Sequence, residues 1–192
     1  MNCADSFILV KPGSIEELLE EHPRLAGEAR RLGHDAGSLR EKVYEMHSYE
    51  EIGEALDDFD KFAQELGFGY DRNNMFFSAA IEAVMNAFQH GNREDTGKVV
   101  RLYAGAQPGR FAFFIVEDEG RPDFEQLKER IARRHEYAEK FSDIGFEGSR
   151  RGGGFGIMDQ LLDTLYVDCT KAGTAVMGAI YEKPTTASAA PR

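Results

Sequence analysis

The chain has 192 residues, a net charge of −11 and a pI near 5.0. That length suits one core-forming domain with room for an appendage. The acidity excludes a nucleic-acid backbone binder, which needs a basic face, and an electrostatic membrane anchor.

Cys3 and Cys169 are far apart and make neither a metal-type spacing nor a disulfide framework. No stretch approaches the ~18 apolar residues of a membrane span. The start MNCADSFILVKPG lacks the charged opening and apolar run of a signal peptide. The sequence therefore reads as cytoplasmic.

Residues 1–40 stand apart as an N-terminal extension in which no chemistry is legible. FILV (7–10) suits a short strand, Ser14 and Glu17 make a capping box for a helix ending before Pro23, and RLAGEARRL (24–32) is a second helical stretch stopped by Gly33. From residue 41 to 183 the pattern becomes orderly. KVYEMH (42–47) alternates as a strand, and Ser48 with Glu51 opens a helix to about Leu66. Its stripe is Ile52, Leu56, Phe59, Phe62 and Leu66, with Gly67 as the stop. A second helix, 72–90, is expected to be capped by Asp71 and ended by Gly91.

The period then changes from 3.6 to 2. VVRLYAGA (99–106), Gln-Pro-Gly and RFAFFIVED (110–118) predict a β-hairpin. Residues 121–150 are polar, broken by Pro122, Gly145 and Gly148, with a helical middle around 125–140; a connection that long reads as a functional lid or a mobile segment. GGGFGIMDQLLD (152–163) is a glycine-rich turn entering a helix. TLYVDCT (164–170) and TAVMGAIYE (174–182) form a last pair of strands, and the tail 184–192 has the composition of a disordered segment.

Three stretches bear chemistry. In EAVMNAFQHGN (82–92), Glu82, Asn86 and His90 recur every four residues, opposite an expected core arc of Phe77, Ile81, Val84 and Phe88. Ala79, Ala83 and Ala87 beside them leave room for something to come close. An Asn oxygen suits a hard cation such as Mg²⁺, which takes few protein ligands alongside phosphates and water. A carboxylate one turn earlier suits a general base. In VEDEG (116–120), Asp118 ends an apolar strand where its carboxylate can accept from an exocyclic amine, and Gly120 permits a tight turn. In RRGGGFGIMDQ (150–160), glycines lead into a helix whose first N–H groups can face an anion, so an acidic chain can still hold a nucleotide. Taken singly, each has a plainer reading: a solvated helix face, a turn after a strand, a bare glycine loop.

Their order is more specific: E-x-x-x-N on a helix, D-x-G after a strand, a polar connection, G-x-G-x-G opening a helix, and Gly173-Thr174 starting the last strand. As a set they resemble the ATPase superfamily of gyrase, MutL-type repair proteins and histidine-kinase catalytic domains. Within it the chain looks most like the bacterial anti-sigma-factor serine/threonine kinases, over roughly residues 41–183.

The resemblance implies a Bergerat-type two-layer α/β sandwich, with helices on one face of a mixed, mostly antiparallel sheet. It implies ATP and Mg²⁺ as cofactors, Asn86 holding Mg²⁺, Glu82 as catalytic base, and Asp118 with Gly120 reading adenine while Thr174 supports it through water. Gly152, Gly154 and Gly156 would admit the phosphates, and Arg151 could touch the terminal one. His90 matches the anti-sigma-kinase form of the helix and serves equally as a cap or packing residue. Pro122 departs from the family, which usually has glycine there; it fixes φ and lacks an N–H.

The implied function is transfer of the ATP γ-phosphoryl group to a small anti-sigma-antagonist protein, with a sigma factor as a further partner and a homodimer as the form similar kinases often take. Two alternatives stay open. One is a nucleotide-gated binding module that transfers nothing. The other is a detached histidine-kinase catalytic domain with His34-Asp35 as phosphoacceptor, although only about 50 residues separate His34 from Asn86, too few for a dimerisation hairpin plus the first strand and helix.

Overall fold

The computed structural model describes residues 40–120, 129, 154–169 and 173–181. The expectations for residues 1–39, for the 121–150 connection with Pro122 (Glu129, which is helical, apart), for Arg151 and Gly152, and for the tail 184–192 lie outside the described residues.

Strand β1 (Arg40–Met46) begins two residues before the alternating stretch from Lys42. Helix α1 (Tyr49–Gln64) opens at Ser48, whose hydroxyl accepts the Glu51 N–H at 3.2 Å. The Glu51 carboxylate reaches back to the His47 N–H, so the expected capping box forms with its return bond one residue before the cap. Ile52, Phe59, Phe62 and Leu66 of the expected stripe are buried, and Leu56 is partly so.

Helix α2 (Tyr70–Asn86) starts differently from expectation. Its N-cap is Gly69 at φ 93°, with no side-chain cap, and Asp71 lies inside the first turn. A carboxylate there still favours the helix through its dipole, which is why the acidic signal was real but misplaced by two residues. The buried face runs through Phe76, Ala80, Val84 and Phe88, whereas Phe77 is only partly buried and Ile81 half-buried. The axis of burial is thus turned by about one residue from the expected arc. After Asn86 the helix widens into a π-helical turn, Ala87–Gly91, closed by the Asn92 N–H on the Ala87 carbonyl at 2.7 Å.

The hairpin β2 (Val100–Gln107) and β3 (Phe111–Asp118) turns through Pro108 and Gly109, with Gly109 at φ 73° and the Arg110 N–H on the Gln107 carbonyl at 2.9 Å. Pro second and a positive-φ Gly third define a type II turn. Helix α3 (Gly154–Leu161) precedes β4 (Thr164–Cys169) and β5 (Thr174–Tyr181).

Among the described residues five strands lie in the order β1-β2-β3-β5-β4, and all four pairings are antiparallel, so the sheet is antiparallel throughout where a mixed, mostly antiparallel one was expected. The helices cover one face, giving the expected two-layer sandwich. Alternate residues of the sheet, among them Leu102, Phe114, Val116, Val167 and Ile180, join one core with Phe59, Phe76, Phe88 and Met158 of the helices. Phe76 and Phe114 meet with ring centres 5.4 Å apart. A Cβ at Gly178 would lie 2.4 Å from the Phe114 ring and 2.6 Å from Leu162, so glycine in mid-strand makes space for that ring. At the far end, Arg72 of α2 pairs with Asp163, which also accepts the Tyr181 N–H at 2.9 Å; this ties the start of α2 to the β4–β5 pair. No helix among the described residues is long and apolar enough to cross a membrane.

Candidate functional site

The end of β3 meets the start of β5 because the two strands are antiparallel neighbours, with Glu117 opposite Ala175. This register brings D-x-G and Gly-Thr together although 56 residues separate Asp118 from Thr174. One Asp118 carboxylate oxygen, Oδ1, accepts the Gly120 N–H at 2.8 Å and lies 3.4 Å from the Thr174 N–H. Asp118 as a residue is 8% exposed. Burial pushes its pKa from 3.8 up to about 6, against the opposing pull of the Gly120 and Thr174 donors and of Lys98.

Three glycines pack closely at this strand end. A Cβ on Gly91 would lie 2.3 Å from Asp118 Cγ, one on Gly120 would lie 1.8 Å from the Gly91 carbonyl oxygen, and one on Gly173 would lie 1.7 Å from the Asp118 carbonyl oxygen. Gly91 makes room for the carboxylate itself, and Gly120 and Gly173 are there because backbone touches backbone. Gly120 and Thr174 thus both stand beside the Asp118 carboxylate. Gly91, read only as a helix stop, proves to be a wall of the Asp118 site.

Glu82 and Asn86 lie one turn apart on α2, on its last two turns. Burial raises the Glu82 pKa above its ordinary value. The Asn86 amide nitrogen is buried and has no hydrogen-bond partner among the described residues. Gly154, the first residue of α3, covers the pair: a Cβ there would lie 2.6 Å from Asn86 Nδ2 and 3.0 Å from Glu82 Oε2. The glycine-rich stretch and the acid–amide pair therefore converge through α2–α3 packing. Gly156 is buried in the first turn of α3. The alanines carry a correction. Ala79 and Ala83 are fully buried and Ala87 is 6% exposed, so protein fills the room they leave, as small side chains allow helices to approach closely. His90 lies on the π turn and is exposed.

The Asn86 Oδ1 and the Glu82 carboxylate, one turn apart, are oxygens of the kind a hard cation takes alongside phosphate oxygens, whereas the buried Nδ2 can only donate. The described residues contain no cluster of three or more His, Cys, Asp or Glu that could hold a metal unaided. Glu82 and Asn86 lie on the last two turns of α2, and Gly91, against the Asp118 carboxylate, lies at the end of the π turn that follows.

The sequence reading missed Asn92. It is fully buried; its Oδ1 accepts the Glu119 N–H at 2.9 Å and its Nδ2 donates to the Val99 carbonyl at 2.9 Å. A Gly-Asn pair after a helix reads as a stop signal, and nothing in it distinguishes a buried Asn from an exposed one.

The family model of the histidine kinase-like ATPase domain matches residues 47–177, and the chain belongs to that family. It is thus an ATP-binding domain of the kinase and ATPase type. No curated protein matches the chain. Nine chains of solved structure match; one of them, described as the mycobacterial sensor histidine kinase MprB, is similar at 18% identity and a TM-score of 0.41, over 76% of this chain and 100% of that one.

Proposed function

We propose that the protein is an ATP-dependent serine/threonine kinase of the anti-sigma-factor type, which phosphorylates a small antagonist protein and binds a regulatory partner such as a sigma factor. The reading rests on one observation above all: Gly154 closes directly over Glu82 and Asn86, so a glycine-rich stretch suited to phosphates stands against a base and a metal-holding amide. The anti-sigma character rests on the sequence resemblance.

Each residue then has a role. Asp118 accepts from the adenine amino group, with Gly120 and Thr174 fixing the carboxylate. Asn86 holds Mg²⁺, which when bound offsets phosphate charge. Glu82 accepts the proton of a substrate Ser or Thr hydroxyl as its oxygen bonds to the γ-phosphorus and the bond to the β–γ bridging oxygen breaks, releasing ADP. A carboxylate whose proton affinity is raised by burial suits that task. Positioning and charge stabilisation supply most of the acceleration in such transfers.

The test is to incubate the protein with labelled ATP and its copurifying partner. Label on a partner Ser or Thr supports the kinase. Binding of ATP and partner without any transfer replaces it with the nucleotide-gated module.

A further inference from the structure

The peptide that joins Asp118 to Glu119 is clamped from both sides. Its carbonyl lies against Gly173, where a Cβ would come within 1.7 Å, and its N–H donates to Asn92 Oδ1 at 2.9 Å. Asn92 Nδ2 donates to the Val99 carbonyl at 2.9 Å, and the Val99 N–H donates to the Glu119 carboxylate at 3.2 Å. Asn92, Val99 and Glu119 thus close a ring of three hydrogen bonds beside the Asp118 site. What puts Asn92 there is the π turn, whose wider i→i−5 closure carries the residue after Gly91 toward the end of β3. The chain then leaves through Arg93 and Glu94, both at φ 59°, a conformation non-glycine residues keep only when their surroundings impose it.

We propose that Asn92 is a positioning residue for adenine specificity: by holding the Asp118–Glu119 peptide it sets the direction in which the Asp118 carboxylate faces the base. The inference rests on the assignment of Asp118 as the adenine reader. Asn92 touches no nucleotide; it acts through the strand end. A buried amide with both groups satisfied is the right device, because its loss leaves the Glu119 N–H and Val99 carbonyl unpaired and the peptide free to rotate.

The experiment measures ATP and GTP affinity, with Mg²⁺, by calorimetry on wild type, Asn92→Leu and Asn92→Asp. Asn92→Leu removes both hydrogen bonds and should lower the ATP-over-GTP preference by about tenfold, the effect of one such interaction. Asn92→Asp keeps an acceptor for the Glu119 N–H and should retain the preference. Should Asn92→Leu fail to fold, Asn92→Ser, too short to reach Glu119, reads the same ratio. A wild-type ratio in the folded Leu or Ser variant overturns the inference, since a merely structural role lowers the melting temperature and leaves the ratio alone. Loss of the ratio in Asn92→Asp as well overturns it too. If the wild type itself does not prefer ATP, the adenine assignment falls and takes this inference with it.

Discussion

Gly91 and Asp118 are in such close contact that a β-carbon on Gly91 would lie 2.3 Å from the Asp118 carboxyl carbon. Gly91 has no positive φ, so its requirement is for space and not for an unusual backbone. Gly91→Ala should therefore act by displacing the carboxylate. Overpacking of this kind costs about 1–3 kcal/mol, and ATP binding should fall with stability. Gly69→Ala is the control: φ is 93° but no described residue lies within 4 Å, so stability alone should drop. Paired melting and nucleotide-binding curves check both.

The raised pKa of Asp118 has a definite sign. Between pH 3.8 and about 6 the folded protein keeps a proton that the unfolded chain has released. Stability of the nucleotide-free protein therefore falls as pH rises through that window, by about 3 kcal/mol for a shift of roughly two units. Asp118→Asn removes this cost and keeps an oxygen for the Gly120 and Thr174 donors. It should melt higher than wild type near neutral pH and lose ATP selectivity. Wild-type ATP affinity should weaken as pH is lowered below about 6, because the neutral carboxyl is a poorer acceptor. Calorimetry across that range on both proteins checks the sign.

Glu82→Gln keeps the shape and hydrogen bonding of the side chain while removing the base. ATP affinity should change little, and transfer to the partner should fall by about 10²–10⁴-fold. Transfer at the wild-type rate would show that Glu82 is not the base.

Asn86→Ala should separate stability from function in another way. It removes a buried amide nitrogen that has no partner among the described residues, a group costing about 1–3 kcal/mol when unsatisfied, and it installs a better helix former. The nucleotide-free protein should be no less stable than wild type, yet Mg²⁺-dependent ATP binding should be lost. Titration with ATP with and without Mg²⁺ reads the outcome.

Arg72→Met should reveal a purely structural contact. Arg72 donates to the Asp163 carboxylate and, at 3.2 Å, to the Tyr181 carbonyl, so its loss leaves a half-buried carboxylate without its cation. A melting temperature lowered by several degrees, with ATP affinity unchanged, is expected.

The strands, the hairpin turn and the capped start of α1 were all legible in the sequence, because each is set by local chemistry: period-two burial, Pro-Gly turn geometry, and a hydroxyl three residues before a carboxylate. The D-x-G, E-x-x-x-N and glycine-rich stretches were legible for the same reason. Their meeting was not local. Antiparallel pairing of β3 with β5 put Thr174 beside Asp118, and packing of α3 on α2 put Gly154 over Glu82 and Asn86. The same packing filled the space that Ala79 and Ala83 had suggested was left for a ligand, since a small side chain admits a neighbouring helix as readily as a nucleotide. The start of α2 at Gly69 and the burial of Asn92 were likewise decided in three dimensions. A positive-φ glycine and a turn asparagine look alike in any sequence, and only the strand end that packs against Asn92 gives its amide two partners.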